Sequence, residues 1–513
     1  MDAPHSPIPD EPHDASAAPV VFTHEQIRRV FIGIMLCIFL AAIDQTVVIP
    51  AVPSIASDLH GFGHLAWIVT AYLLTSTIST PIYGKLSDMY GRRALLLPGI
   101  VIFVAASMLC GFAQSLPQLI LARALQGVGG AGLMSMSQAT IADMVSPRER
   151  GRYQGYMAGT WAVASIFGPI IGGWVTDAAS WRWIFWVNLP IGIGAYFLSS
   201  NALRLLRVQR RRTKIDQFGA LLLASCTTST LLVLSWGGVE FSWTSPEILG
   251  LCAITLVVIF LLVRQERRVE EPLMPPRMFA NKVFRRGVII AVFNTGGMFG
   301  LTFLLPLYFQ LTRGADASQS GSMIVPFLAA TCVGAFGGGQ IGRRLGKLKQ
   351  IIQVGLVVTL AACIGCAVMD DKTSSLWLLA LQCIVGVGIG GVQPCTLVTV
   401  QNAADRRDVG VATGAFLFLR NMGGALGSTL AGVALAGEFA AAIETAGLTG
   451  KVDFGSLRSA EGAHVALDPA ILQSAHHALT MGFHAAFGAC ALMSLFALFA
   501  TFGMPDVNLR TSN

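Results

Sequence analysis

Fourteen stretches of roughly 17 to 25 predominantly apolar residues, each long enough to cross a ~30 Å hydrocarbon core as a helix, divide this chain almost from end to end. They fall at about 30–50, 66–83, 94–113, 117–141, 153–175, 183–203, 217–236, 246–264, 288–311, 320–342, 350–369, 375–397, 409–434 and 479–503. Lipid offers a backbone no hydrogen-bonding partner, so such segments are helical unless they close into a barrel, and a barrel would alternate apolar with polar residues. The chain therefore reads as an all-α integral membrane protein.

An even number of spans puts both termini on one face, and basic residues identify it. Of 35 Lys and Arg, 28 fall on the side of the termini, 5 on the other, and Arg123 and Arg420 lie inside spans. The +7 net charge is thus a topology signal spread over short loops, and it does not point to nucleic acid. Both termini are expected to be cytoplasmic. The Pro-rich start (residues 1–26) reads as a disordered tail without the features of a cleaved signal, so the first span is expected to be retained. All ten cysteines sit in predicted spans, which argues against a disulfide framework. No zinc spacing, Walker A loop or nucleophile elbow occurs, so no metal, cofactor, ATP hydrolysis or enzymatic activity is expected.

Two blocks of six spans, 27–205 and 271–513, flank a basic linker carrying spans seven and eight (206–270). The second block contains a long external loop at about 435–478 that carries no assigned role. GKLSDMYGRR after span two has a degenerate echo, GGGQIGRRLGK, after span ten. Weak internal symmetry of this kind is characteristic of transporters built from two pseudo-symmetric bundles.

Four motifs carry chemistry. The first is Gly84, Asp88, Gly91, Arg92 and Arg93 in the loop after span two, where a positive-inside anchor explains the arginines but neither the acid nor the glycines. The second is Asp44 within AIDQTVVIPAVPS, the only carboxylate well inside a span. At about 1.5 Å per residue it lies roughly 21 Å from the cytoplasmic end of its helix. Buried ionisable groups are costly in lipid and are functional by default. The third is LILARALQGVGG in span four, where Arg123 lies about 9 Å below the external surface, the same depth as Asp44. A charge pair that switches on proton or substrate binding and a permanent structural salt bridge both fit that coincidence. The fourth, in span five, places Gly155, Ala164, Gly168, Pro169, Gly172 and Gly173 along GYMAGTWAVASIFGPIIGG, a small-residue seam for close helix packing. Arg420, near mid-membrane in span thirteen, either pins its helix or contacts substrate. With Gln126, Asn294, Tyr308 and Gln310 it forms the candidate lining of a substrate cavity.

On these motifs the sequence resembles the major facilitator superfamily, and within it the fourteen-span drug:proton antiporter (EmrB/QacA-like) branch. WRWIFWVNLPIG at the entrance to span six supports that branch. The resemblance implies two six-helix bundles plus two central helices, with Asp88 and its neighbours as a latch against the helix beginning near Val409. It also implies an exporter-type motif in span five and proton coupling through Asp44 and Arg123. The expected activity is export of amphipathic drugs or toxic metabolites in exchange for protons, across a bacterial inner membrane. The expected partners are small-molecule substrates, protons and the lipid bilayer, with an adaptor and outer-membrane channel a further expectation. A proton-coupled importer and an exporter of one anionic or lipid-like metabolite are the alternatives.

Overall fold

A computed structural model describes residues 24–59, 66–205, 216–238, 240–315, 317–369, 373–405, 408–447 and 469–506. They form seventeen α-helices: α1 (His24–Asp58), α2 (Ala66–Tyr90), α3 (Arg92–Phe112), α4 (Leu116–Met144), α5 (Pro147–Ala178), α6 (Trp183–Trp186), α7 (Asn188–Ala202), α8 (Gln217–Trp236), α9 (Pro246–Arg268), α10 (Pro276–Ala280), α11 (Lys282–Arg313), α12 (Ala317–Met323), α13 (Val325–Leu345), α14 (Leu348–Ala367), α15 (Ser375–Ala403), α16 (Val409–Thr445) and α17 (Pro469–Phe502). Among the described residues, thirteen segments meet the length and hydropathy needed for a membrane span. The fourteenth expected span is α2, a 25-residue helix packed against α4 and α16. Its run of Thr and Ser, with Lys85 and Asp88, makes it less apolar than the rest.

Helix boundaries follow local chemistry. Gly91, at φ 90°, reverses the chain between α2 and α3 in one residue, a conformation that L side chains rarely adopt. Asn281 caps α11 by accepting from the Val283 and Phe284 amides, and left-handed Gly314 ends it. Ser245 caps α9 with Pro246 in the first turn.

The helices α1 to α7 pack among themselves around Ile38, Phe103, Leu133 and Met136. The helices α11 to α17 do the same around Leu304, Phe327, Phe483 and Phe487. The α8/α9 pair packs together and touches the rest through α2 and α16, with Leu223, Leu273 and Phe418 at the contact. Helix α9 buries only Ile248, Thr255 and Glu266, leaving its apolar surface to lipid.

The expected external loop is shorter than 435–478. Helix α16 continues to Thr445 and α17 starts at Pro469, while 448–468 and the tail at 1–23 lie outside the described residues. All ten cysteines are free.

The two halves meet chiefly where α2 crosses α16 and α5 crosses α13. Every hydrogen bond or ion pair described between the halves lies on the face where α2 ends and α3 begins, referred to below as the basic face. The halves are therefore closed against each other there.

Candidate functional site

Helix α1 places Asp44 at full burial, and five other helices supply its surroundings. Its carboxylate accepts from Arg123 Nη1 at 2.7 Å, Gln126 Nε2 at 2.8 Å and Asn188 Nδ2 at 2.9 Å. Arg123 also donates Nε to the Ile68 carbonyl, donates Nη1 to Gln126 Oε1, and lies over the Tyr72 ring at 4.5 Å. Asn188 donates to Ser107, which in turn donates to the Phe185 carbonyl. Asp44 and Arg123, inferred from helix rise to share one depth, thus form a buried pair. A carboxylate with one cation and two amide donors is stable in a dry interior because both oxygens accept from a partner. Asn188 and Ser107 were not anticipated. The former lies within WRWIFWVNLPIG, so its position was visible but not its target.

On the basic face, Asp88 accepts from the backbone amides of Gly410 at 3.0 Å and Val411 at 2.7 Å, in the first turn of α16. These amides have no intrahelical acceptor, and the helix dipole favours an anion there. Arg92 pairs with Asp88 at 2.6 Å and with Asp143 at 2.7 Å, and it donates to Ser87. Asp143, at the end of α4, was not anticipated. Arg93 makes no ion pair among the described residues and leaves a buried Nε unsatisfied, so it stands outside the latch geometry that Arg92 occupies. Lys85 reaches Glu271 across the interface.

Gly84 makes this crossing close. A Cβ there would sit 2.6 Å from the Gly410 carbonyl oxygen. The α5/α13 crossing repeats the device with Gly151 against Gly339, where a Cβ on Gly339 would sit 2.0 Å from the Gly151 carbonyl oxygen. Flanking it are Arg343 paired with Glu149 at 3.3 Å and Arg148 donating to the Arg343 carbonyl. The sequence echo between GKLSDMYGRR and GGGQIGRRLGK thus corresponds to two interface crossings.

The span-five motif divides. Gly168 and Gly172 press on α1, with a Cβ on Gly168 meeting Thr46 Oγ1 at 1.9 Å and one on Gly172 meeting the Val47 carbonyl at 2.3 Å. Thr46 donates to the Ala164 carbonyl. Gly155 faces Phe336 of α13, whereas Gly173 has nothing within 4 Å. Pro169 lies inside the helix.

The candidate cavity residues do not converge. Gln126 belongs to the Asp44 cluster. Tyr308 is core, edge-on to Phe483 with ring centroids 5.2 Å apart, and Gln310 donates to Ser320. Asn294 and Arg420 do meet, in a cavity with Ala291, Thr295, Val392, Gln393, Thr396 and Phe416. Among the described residues no group of His, Cys, Asp and Glu could hold a metal.

Known proteins agree with this architecture. The chain is 36% identical over 403 residues to the multidrug transporter protein MdtP of Bacillus subtilis, covering 79% of this chain and 74% of that one. It is 35% identical to the efflux pump FUS6 of Gibberella moniliformis (77% and 71% covered) and 31% identical to multidrug resistance protein 3 of Bacillus subtilis (79% of each). The crystal structure of the human organic anion transporter MFSD10 (TETRAN) superposes with a TM-score of 0.63 over 92% of this chain and 99% of that one. At 14% identity that likeness concerns the fold alone. The family model of the Major Facilitator Superfamily matches residues 34–428, and the chain belongs to that superfamily of multi-pass membrane transporters.

Proposed function

We propose that this transporter exports amphipathic compounds in exchange for protons, by alternating access between its two six-helix halves (27–205 and 271–513), as a fourteen-span member of the EmrB/QacA-like branch. The observation that carries the reading is the Asp44 cluster. A carboxylate sealed at full burial against Arg123 has two self-consistent states, ionised and paired, or protonated with the cation released. A group with two such states is what coupling requires. On this reading the basic face is cytoplasmic, the membrane is a bacterial inner membrane, and the closed contacts at Gly84 and Gly339 belong to an outward-facing state. The names of the relatives, a multidrug transporter and an efflux pump, support the export direction. An adaptor and outer-membrane channel are no part of this proposal.

The energetics are sufficient. A potential of 100 mV supplies ~2.3 kcal/mol per proton and one pH unit about 1.4 more, enough for a gradient above a hundredfold for a neutral substrate.

A second reading has its own observation. Three donors hold Asp44, which suits a permanent structural pair. Proteoliposomes with a trapped pH dye and an imposed pH gradient separate the two when challenged with cationic, neutral and anionic amphipaths. Antiport predicts compound-evoked proton flux that Asp44→Asn abolishes. Flux undiminished in a folded Asp44→Asn protein refutes Asp44 as the carrier and leaves the structural reading.

A further inference from the structure

The C-terminal half contains a charge that the N-terminal half neutralises and this half does not. By order in the repeats, α11 and α15 correspond to α1 and α4, the helices that bring Asp44 and Arg123 together. Between them α11 presents Asn294 and Thr295, α15 presents Gln393 and Thr396, and α16 adds Arg420. No acid is among them. Arg420 stands eleven residues into α16, about 16 Å along it and near mid-membrane. It forms no ion pair or hydrogen bond among the described residues, and its Nε is buried without a partner.

The surrounding side chains point to what is missing. Thr295, 4% exposed, has a buried hydroxyl with no partner, and Asn294, 3% exposed, has an Oδ1 with none. The Asn294 amide nitrogen is already committed to the Ile389 carbonyl at 3.4 Å, Gln393 donates to Met298 sulfur, and Thr396 donates to the Val392 carbonyl. Two free donors, the guanidinium and the Thr295 hydroxyl, therefore line a small cavity in which no protein acceptor reaches them. A cation within a membrane span ordinarily faces a partner or a substrate path, and an orphaned buried donor is rare enough to require an explanation.

We propose that this cavity binds the anionic headgroup of an amphipathic organic acid, with the carboxylate or sulfonate on the Arg420 guanidinium and the Thr295 hydroxyl. Asn294 Oδ1, a buried acceptor without a partner, takes a hydrogen bond from a water or a hydroxyl beside the acid. The planar guanidinium matches an oxyanion geometrically, as a point charge would not. The proposal rests on the transport reading above and narrows its substrate class to anionic amphipaths. It also separates two roles by half, with the Asp44 cluster coupling and the Arg420 cavity selecting.

The test is equilibrium binding to the full-length protein in nanodiscs without a proton gradient, so that failure of this site and failure of antiport register separately. The probes are 11-(dansylamino)undecanoic acid, its primary amide and the amine of the same chain, followed by dansyl fluorescence. The acid is expected to bind at least about tenfold tighter than the amide, the size of a charge-assisted pair. Arg420→Gln should erase that preference while leaving amide binding within about twofold, and Asp44→Asn should leave it intact. Thr295→Val, nearly isosteric, should weaken the acid alone, and it decides the matter should Arg420→Gln not fold. Equal binding of acid and amide, tightest binding of the amine, or a preference that survives Arg420→Gln overturns the assignment. So does a preference present in gluconate but abolished by physiological chloride, which would mark the cavity as an inorganic-anion site.

Discussion

Alanine at Gly84 should open the basic face without weakening either bundle. The ideal Cβ would lie 2.6 Å from the Gly410 carbonyl oxygen and 3.2 Å from the Gly414 Cα. Ordinary contact begins near 3.4 Å, so α2 and α16 must separate by close to an ångström at the crossing. The Asp88 hydrogen bonds to the Gly410 and Val411 amides, one turn along α2 from that contact, would stretch from 3.0 and 2.7 Å past useful length. Hydrogen bonds to a charged group contribute roughly 1.5 to 3 kcal/mol each. Solvent regained by the carboxylate offsets part of that, which leaves a loss of about 3 kcal/mol in the closed arrangement. That is a ~100-fold shift in favour of separation. Alanine within a helix is more favourable than glycine by about 1 kcal/mol, so the helix itself is not weakened. Hydrogen exchange of the Gly410 and Val411 amides measures the effect directly, because these two amides have Asp88 as their acceptor. Exchange there should accelerate by about two orders of magnitude in Gly84→Ala. The control is Gly337→Ala, whose Cβ meets nothing within 4 Å. Equal exchange in Gly84→Ala and the control would refute the argument that glycine at this crossing sets the latch.

Further outcomes follow from the same geometry. Gly168→Ala, whose Cβ would overlap Thr46 Oγ1, should lower the melting temperature in detergent, whereas Gly173→Ala in the same motif should not. Arg123→Ala leaves Asp44 buried and without its cation, so it should cost roughly 3 to 5 kcal/mol of stability. Asn188→Ala removes one donor and should cost about 1 to 3; both are read by thermal unfolding with intrinsic Trp fluorescence. The Arg343 to Glu149 pair, about a third exposed on each side, should contribute less than ~1 kcal/mol in a double-mutant cycle. Tyr308→Phe should leave transport unchanged, since the ring packs in the core and its hydroxyl has no partner.

Much of this arrangement was legible in the sequence, because lipid simplifies the code. Apolar length fixed the spans, but hydropathy marks the bilayer and not the helix, so α16 and α17 run well beyond their apolar stretches. Helix rise alone brought Asp44 and Arg123 to one depth, since depth is one-dimensional and charges in spans are few. Azimuth was harder to read. Arg92 and Arg93 carry equal weight in the motif, yet successive helical residues point about 100° apart, and only Arg92 reaches Asp88 and Asp143. The same offset separates Gly172, pressed on Val47, from Gly173, which touches nothing. Tyr308 lies fourteen residues from Asn294, near the same face but about 21 Å along the helix, which removes it from the Arg420 cavity. Asn188 and Ser107 went unseen because neutral polar residues in an apolar span carry no charge to balance.

The two interface crossings differ in a way that bears on how the halves part. Each brings backbone against backbone through glycines, and such contacts lose much of their attraction within about an ångström of separation. The crossings therefore behave as closed or open, with little between. Charge is distributed unequally over them. At α2/α16 a largely buried carboxylate holds two backbone amides and a buried arginine, while at α5/α13 a pair about a third exposed lies 3.3 Å apart. Most of the resistance to opening thus resides at α2/α16, and the α5/α13 contact is the easier to separate. Substitutions that weaken Asp88 should therefore change the fraction of molecules open at the basic face far more than removal of Glu149 does. Distances between spin labels on the loops after α2 and after α15 would show it: a broadened or lengthened distribution in Asp88→Ala and an unchanged one in Glu149→Gln. Equal responses would mean that the two crossings share the load and that the charge asymmetry does not govern opening.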